Sequence, residues 1–130
     1  MRNITSLDSL DRFTQAYMVC ALWSTTVCDE SGQNIESLDD RFGLDDLAQK
    51  TVQQMTEDCA LFQKEYSALL AQAGDDERNG HDFWLTRNHH GAGFWDRGYP
   101  HDVGNALTKA AHAEGERDLY IGDDEKIHEA

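Results

Sequence analysis

The stretch "NHHGAGFWDRG", residues 88–98, gathers two histidines, three glycines, two aromatics and an Asp-Arg pair. With His81, Asp82, His101 and Asp102 on either side, it holds residue types that bind transition metals. The spacing argues against that chemistry. No HExxH pattern is present, and His89 and His90 would project to opposite sides of an extended chain. We therefore assign no metal ligands. Anion binding is the other chemistry on offer. Arg87 and Arg97 each present a planar fork suited to phosphate, and Asn88, His90 and Asp96 stand beside them. Arg87, Asn88, His90, Asp96 and Arg97 thus form the alternative site, for a small ligand, a nucleotide or a metal. The glycines of "GAG" are in the wrong setting for a phosphate loop, because a predicted strand and not a helix follows them.

Catalytic templates are not met. A reactive cysteine needs a base and a positive setting. Cys20 and Cys59 fall on apolar stripes, and Cys28 is followed by Asp29 and Glu30, whose charges oppose a thiolate. No GxSxG elbow occurs. The paired carboxylates Asp39-Asp40 and Asp123-Asp124 sit in predicted turns, where a turn role explains them. The chain is read as a non-enzyme with no catalytic residues and no cofactor.

Charge narrows the partners. The 130 residues carry 25 acidic against 11 basic side chains, a net charge of −14. Residues 1–77 hold 15 acidic and 5 basic residues, and residues 78–130 hold 10 and 6. Direct binding to nucleic acid or to an anionic membrane is disfavoured, and a partner with a basic surface is favoured. A hydrophobic fraction of 39% argues for a folded chain despite the charge. No apolar run is long enough to span a membrane, and the N-terminal "MRNITSLDSLDRF" has no apolar stretch of the signal-peptide kind. Three scattered cysteines fit reduced thiols in a cytosolic protein.

These groups need elements to position them, and the length suits one domain over residues 1–130. Leu10, Phe13, Tyr17, Cys20 or Ala21 and Ser24 recur at helical spacing, with Ser6 or Asp8 as the cap. Residues 25–43 read as a polar connection. Leu44, Leu47 or Ala48, Val52, Met55, Cys59, Phe62, Tyr66 and Leu69 or Leu70 then predict a second helix of about seven turns. Asp45 and Asp46 fall in its first turn, with Glu57, Asp58 and Glu65 on its flanks and Gly74 as its stop. "GDDERNG" reads as a loop. "HDFWLTRN" alternates like a strand, and "AGFWDR" makes its hairpin partner across "NHHG". "HDVGNALTKAAHAEG" predicts a helix capped by Asp102 and stopped by Gly115, and "DLYIGDDEKIH" predicts a closing hairpin. The fold class expected is α+β. A mainly helical half (1–77) packs on a small antiparallel sheet, and the second half (78–130) is β-β-α-β-β.

The run "DFWLTRNHHGAGFWDRG", with "DLYIGDDEKI" after a glycine-spaced helix, resembles a family of small bacteriophage and prophage proteins with the motif DFWLTRNxHGAGFWDRG. "AYMVCALWS" and "MTEDCALFQ" are also similar to that family, so the resemblance covers nearly the whole chain. His89 stands at the variable position and His90 at the motif histidine. Glu125 departs from the pattern, which has Gly there, and implies a looser last turn. The resemblance implies a phage protein acting in the cytoplasm of the infected bacterial host. Joined to the charge, it sets the principal expectation: an acidic inhibitor of a host nucleic-acid-handling defence complex, of the anti-CRISPR or anti-restriction type. Such a protein would bind a basic surface stoichiometrically and block nucleic acid. The expected contact residues are Asp39, Asp40, Asp45, Asp46, Glu57, Asp58 and Glu65. Self-association through the helices is a further alternative.

Overall fold

The computed structural model describes residues 9–28 and 31–130. The proposed caps Ser6 and Asp8 lie outside the described residues. The first helix, α1 (Arg12–Ser24), is capped instead by Asp11, whose Oδ1 accepts the Thr14 N–H at 2.8 Å. Phe13, Tyr17, Met18, Cys20, Ala21 and Leu22 are buried, so the apolar stripe read from the sequence does face the core. The connection after it is not featureless. Thr26–Cys28 (β1) pairs antiparallel with Ile35–Ser37 (β2). Two single 3-10 turns follow, Leu38–Asp40 and Leu44–Asp46.

The second helix is shorter than its sequence pattern. It runs from Gln49 to Glu65 (α2), and a separate short helix, α3 (Ser67–Ala71), follows a break at Tyr66. Leu44 and Leu47 precede the helix. Asp45 and Asp46 therefore complement a 3-10 turn, in which the Asp46 carboxylate accepts the Gly43 N–H at 2.8 Å. Leu47 still packs in the core because it bridges in parallel to Ile127 at the other end of the chain, with the Ala48 N–H donating to the Ile127 carbonyl at 2.9 Å.

The largest correction falls on residues 76–97. The predicted strand "HDFWLTRN" is helix α4 (Asp76–Arg87), and the predicted strand "AGFWDR" is a 3-10 turn, Phe94–Asp96. The loop "GDDERNG" is the start of that helix. Asp75 caps it by accepting the Arg78 N–H at 2.8 Å, and Asp76 and Glu77 occupy the first turn. From Asp82 to Arg87 every residue is buried. A helix enclosed on all sides shows no apolar stripe, so its alternation of residue types carried no strand information. Gly80 lets it approach α1: a Cβ there would collide with the Phe13 carbonyl. "NHHG" also changes meaning. The His90 N–H donates to Leu85 O at 3.0 Å and the His89 N–H to Thr86 O at 3.1 Å, with His89 at φ 58. These bonds form a Schellman stop to the helix. The left-handed residue was legible, but it ends a helix and does not turn a hairpin.

Helix α5 (His101–Ala113) begins after Pro100 without a side-chain cap, and Asp102 only meets the Val103 N–H. Gly115, at φ 83, closes its end as expected. Leu119–Ile121 (β3) and Ile127–Glu129 (β4) form the closing hairpin. The class is α+β, with helices leading and the last strands closing the chain. The second half reads α-α-β-β where β-β-α-β-β was expected.

The core is aromatic. Phe62 stacks on Phe83 with centroids 4.0 Å apart, Phe13 and Phe94 flank them, and Tyr17 meets Trp84 edge-on at 5.3 Å. Such pairs contribute about 0.5–1.5 kcal/mol each beyond the area they bury. The Trp84 indole N–H donates to Ser24 Oγ at 2.8 Å, so the ring is anchored at its polar edge as well. No described helix is long and apolar enough to cross a membrane.

Candidate partner-binding surface

The sequence offered two sets of residues, and the fold treats them differently. The motif set turns inward. Arg87 on α4 is almost fully enclosed, with 1% of its side chain exposed. Its guanidinium donates to Asp58 Oδ2 at 3.0 Å, Tyr17 Oη at 3.1 Å, Gly115 O at 2.8 Å and Glu114 O at 2.9 Å. One arginine thus ties α1, α2 and the end of α5 to α4. Arg97, after the 3-10 turn, makes a bidentate pair with the wholly buried Asp82 at 2.7–3.2 Å. Burial works to raise the Asp82 carboxyl, but hydrogen bonds from His81 and Arg97 outweigh it and hold the group below its ordinary range.

Asn88 is equally committed. Its amide donates to Trp84 O at 3.0 Å and its carbonyl accepts the Arg117 N–H at 2.8 Å. Asp96 accepts the Gly93 N–H at 3.0 Å, and Thr86 Oγ1 accepts the Phe94 N–H at 3.1 Å. A Cβ on Gly93 would overlap Thr86 Oγ1, which accounts for the second glycine of "GAG". Of the alternative ligand set, His90 and Asp96 are exposed; Arg87 and Asn88 spend their polar atoms on the fold, Arg97 gives its Nε and one terminal nitrogen to Asp82, and Asp96 gives one carboxylate oxygen to the Gly93 N–H. Most of the donors that were to meet a phosphate are used inside the protein. Among the described residues, no three His, Cys, Asp or Glu side chains are grouped to hold a metal ion.

The thiols follow the same inward logic. Burial first, then the Asp82 charge, pushes Cys20 up to about 12, and burial drives Cys59 well above the ordinary thiol range. Neither supplies a thiolate near neutral pH. Cys28 is exposed at the end of β1.

The acidic set turns outward with one exception. Asp39, Asp40, Asp45, Glu57 and Glu65 are exposed and Asp46 is half-buried. Asp58 is the exception, since it is buried as the counter-ion of Arg87 and cannot meet a partner. Asp40 and Asp46 also have local work, each accepting the backbone N–H that opens its 3-10 turn. On α2 the exposed face alternates in sign: Lys50, Glu57 and Lys64 follow one another at seven-residue spacing, which returns to nearly the same side of a helix. Glu57 and Glu65 therefore add little to a continuous negative field.

A parallel bridge between Leu47 and Ile127 joins two segments that each follow an acidic turn. Those turns are Asp45 and Asp46 on one side and the hairpin turn Asp123, Asp124 and Glu125 on the other. The turn was legible as a turn, but nothing local joined it to a segment about 80 residues upstream. Lys126 follows the hairpin turn, and Asp124 holds His128 at 2.9 Å. The hydrogen bond from His128, then that from the Lys126 N–H, lowers the Asp124 carboxyl. Glu125 sits at φ 61. The last turn therefore keeps a glycine-like conformation with a glutamate in it, which corrects the expectation of a looser turn.

Two ion pairs inside the protein, Arg87 with Asp58 and Arg97 with Asp82, each consume one positive and one negative charge. The net charge of −14 is left to the remaining side chains. Comparison with protein-family models, with curated proteins and with solved structures returns no match, so the chemistry of the surface rests on its own geometry.

Proposed function

We propose that this chain is a phage-encoded acidic inhibitor. In this reading it binds a basic surface of a host nucleic-acid-handling defence complex stoichiometrically, in the manner of an anti-CRISPR or anti-restriction protein. It works in the cytoplasm of the infected bacterium and blocks the nucleic acid from its groove. The observation that supports the reading most is the Leu47–Ile127 bridge, which joins the segments that directly follow two acidic turns, Asp45-Asp46 and Asp123-Asp124-Glu125, in a chain of net charge −14. Duplex DNA carries about one negative charge per 1.7 Å of axis, so a cleft built for it attracts such turns and releases its counter-ions. Asp39 and Asp40, in the same connection, extend the contact. Asp58 takes no part, and Glu57 and Glu65 are peripheral to it.

The ligand-site reading of residues 87–98 is weaker because four of its five side chains hold the fold. The test is capture from bacterial lysate, followed by elution with duplex DNA and, separately, with salt near 1 M, where the screening length is about 3 Å. The expected result is a captured nucleic-acid-binding protein released by both. Capture that neither DNA nor salt reverses would contradict the proposal.

A further inference from the structure

Between the start of α2 and the β3–β4 hairpin lies a cavity of about 220 Å³ whose wall includes Lys50, Arg117, Tyr120, His128 and Glu129. Its polar lining is unusual for this protein because it is positive. Among the described residues Lys50 has no hydrogen bond or ion pair. Arg117 has its Nε 3.9 Å from Asp58 Oδ2, beyond hydrogen-bonding reach, and that nitrogen is sealed from solvent without a partner. Asp58 is already held by Arg87 at 3.0 Å and by Gln54 at 2.9 Å, so it leaves Arg117 short of an acceptor. Glu129 has the complementary deficit: its Oε2 is sealed and unpartnered. A chain of net charge −14 has carboxylates in excess, yet two cations here lack one within hydrogen-bonding distance.

Buried polar groups are normally paired, and each one left over calls for an explanation. Arg117 Nε and Glu129 Oε2 are sealed behind the wall, whereas Lys50 is exposed and the Arg117 side chain is about a third exposed, so these two cations are what the cavity presents without an acceptor. A small oxyanion supplies the acceptor. A proton on Glu129 removes the charge that would repel that anion and gives the carboxyl a donor. We propose that the cavity binds a small oxyanion, a carboxylate or phosphate group, taken up together with one proton on Glu129.

The surroundings agree with the coupling. Burial first, then the charge of Asp58, pushes the Glu129 carboxyl up to about 7, against the pull of Arg117 and Arg87. The groups that face it are Asp58 and Lys50 from α2, Arg87 from α4, Tyr17 from α1, Arg117, and Tyr120 and His128 from the hairpin. Thr51, also on the wall, already donates its hydroxyl to Ile127 O at 3.1 Å and fixes the hairpin to α2. At about 30 Å³ per water, the cavity has room for about seven waters. That suits inorganic phosphate or a carboxylate of a few carbons, and falls below the usual volume for a nucleotide-sized ligand. The proposal does not rest on the inhibitor reading, since it concerns cations and not the acidic turns.

Isothermal titration of the full chain with sodium succinate, and separately with inorganic phosphate, tests it at pH 6 and pH 8 at constant ionic strength. The expected result is saturable one-to-one binding of at least one probe at pH 6, about tenfold weaker at pH 8 as the proton becomes harder to supply. Which probe binds identifies the headgroup. Lys50→Ala, an exposed change that leaves the fold intact, lowers affinity about tenfold or more. Glu129→Gln removes most of the pH ratio, whereas His128→Gln does not. No saturable binding of either probe at pH 6 overturns the proposal, and so does binding that Lys50→Ala and Glu129→Gln both leave unchanged.

Discussion

The segment 82–98 and the α2–hairpin end differ in a way their sequences do not suggest. The first is crowded with histidines, arginines and glycines and looks like a site, yet Asp82, Arg87 and Arg97 are consumed by the fold. Asp82 holds Arg97, Arg87 holds Asp58, and Asn88 holds the Arg117 backbone. The second is built from two acidic turns and a few scattered cations with no motif among them. Its groups are left exposed, or short of partners around a cavity. A dense local pattern can encode packing, and an available site can arise only when distant segments meet.

The comparison can be broken or sharpened by substitution. The largest effect is expected inside the motif. Arg87→Ala strands the buried Asp58 and removes four hydrogen bonds. It should cost about 3–5 kcal/mol in urea unfolding. If it costs under about 1 kcal/mol and alters binding instead, the motif is a site after all. Arg97→Ala leaves Asp82 buried without its main partner and should cost about 3 kcal/mol by the same measurement.

Glu129 gives a pH signature. Its folded value of about 7 lies above the ordinary 4.5, so the folded state holds more protons than the unfolded state between those values. Stability therefore falls as pH rises from about 4.5 to 7, and the penalty is complete above 7. Glu129→Gln should stabilise the protein at pH 8 by about 1 kcal/mol, less than full linkage because the carboxyl is partly open to water, and should do little at pH 4. Equal gains at both values would remove the argument for a perturbed carboxyl. The smallest effect belongs to the last turn. Glu125→Gly relieves a left-handed backbone at φ 61 and should raise stability by up to about 1 kcal/mol, read as a rise in Tm.

The elements legible in the sequence were those with one apolar face and a marked stop. The stripes of α1 and α5, the middle of α2, Gly115 and the β3–β4 hairpin were of this kind. Helix α4 shows no apolar stripe because Asp82–Arg87 are enclosed on every side, although Asp75, Asp76 and Glu77 mark its start. Strands β1 and β2 are three residues each in polar surroundings and carried no signal. For the surface, the outward acidity of residues 39–46 was readable from composition. The burial of Asp58 was not, because its reason, Arg87, lies 29 residues away. The joining of the segments that follow residues 45–46 and 123–125 depends on one parallel bridge, Leu47 to Ile127, that nothing local foretells.

The most direct test compares two variants in one capture assay with DNA elution. In the first, Asp45, Asp46, Asp123 and Asp124 are changed to Asn, and in the second His90 is changed to Ala. Both are first shown to unfold cooperatively. The acidic-end variant should lose the DNA-displaceable partner, and His90→Ala should retain it. Retention by the first with loss by the second would place recognition at the motif tip and contradict the account.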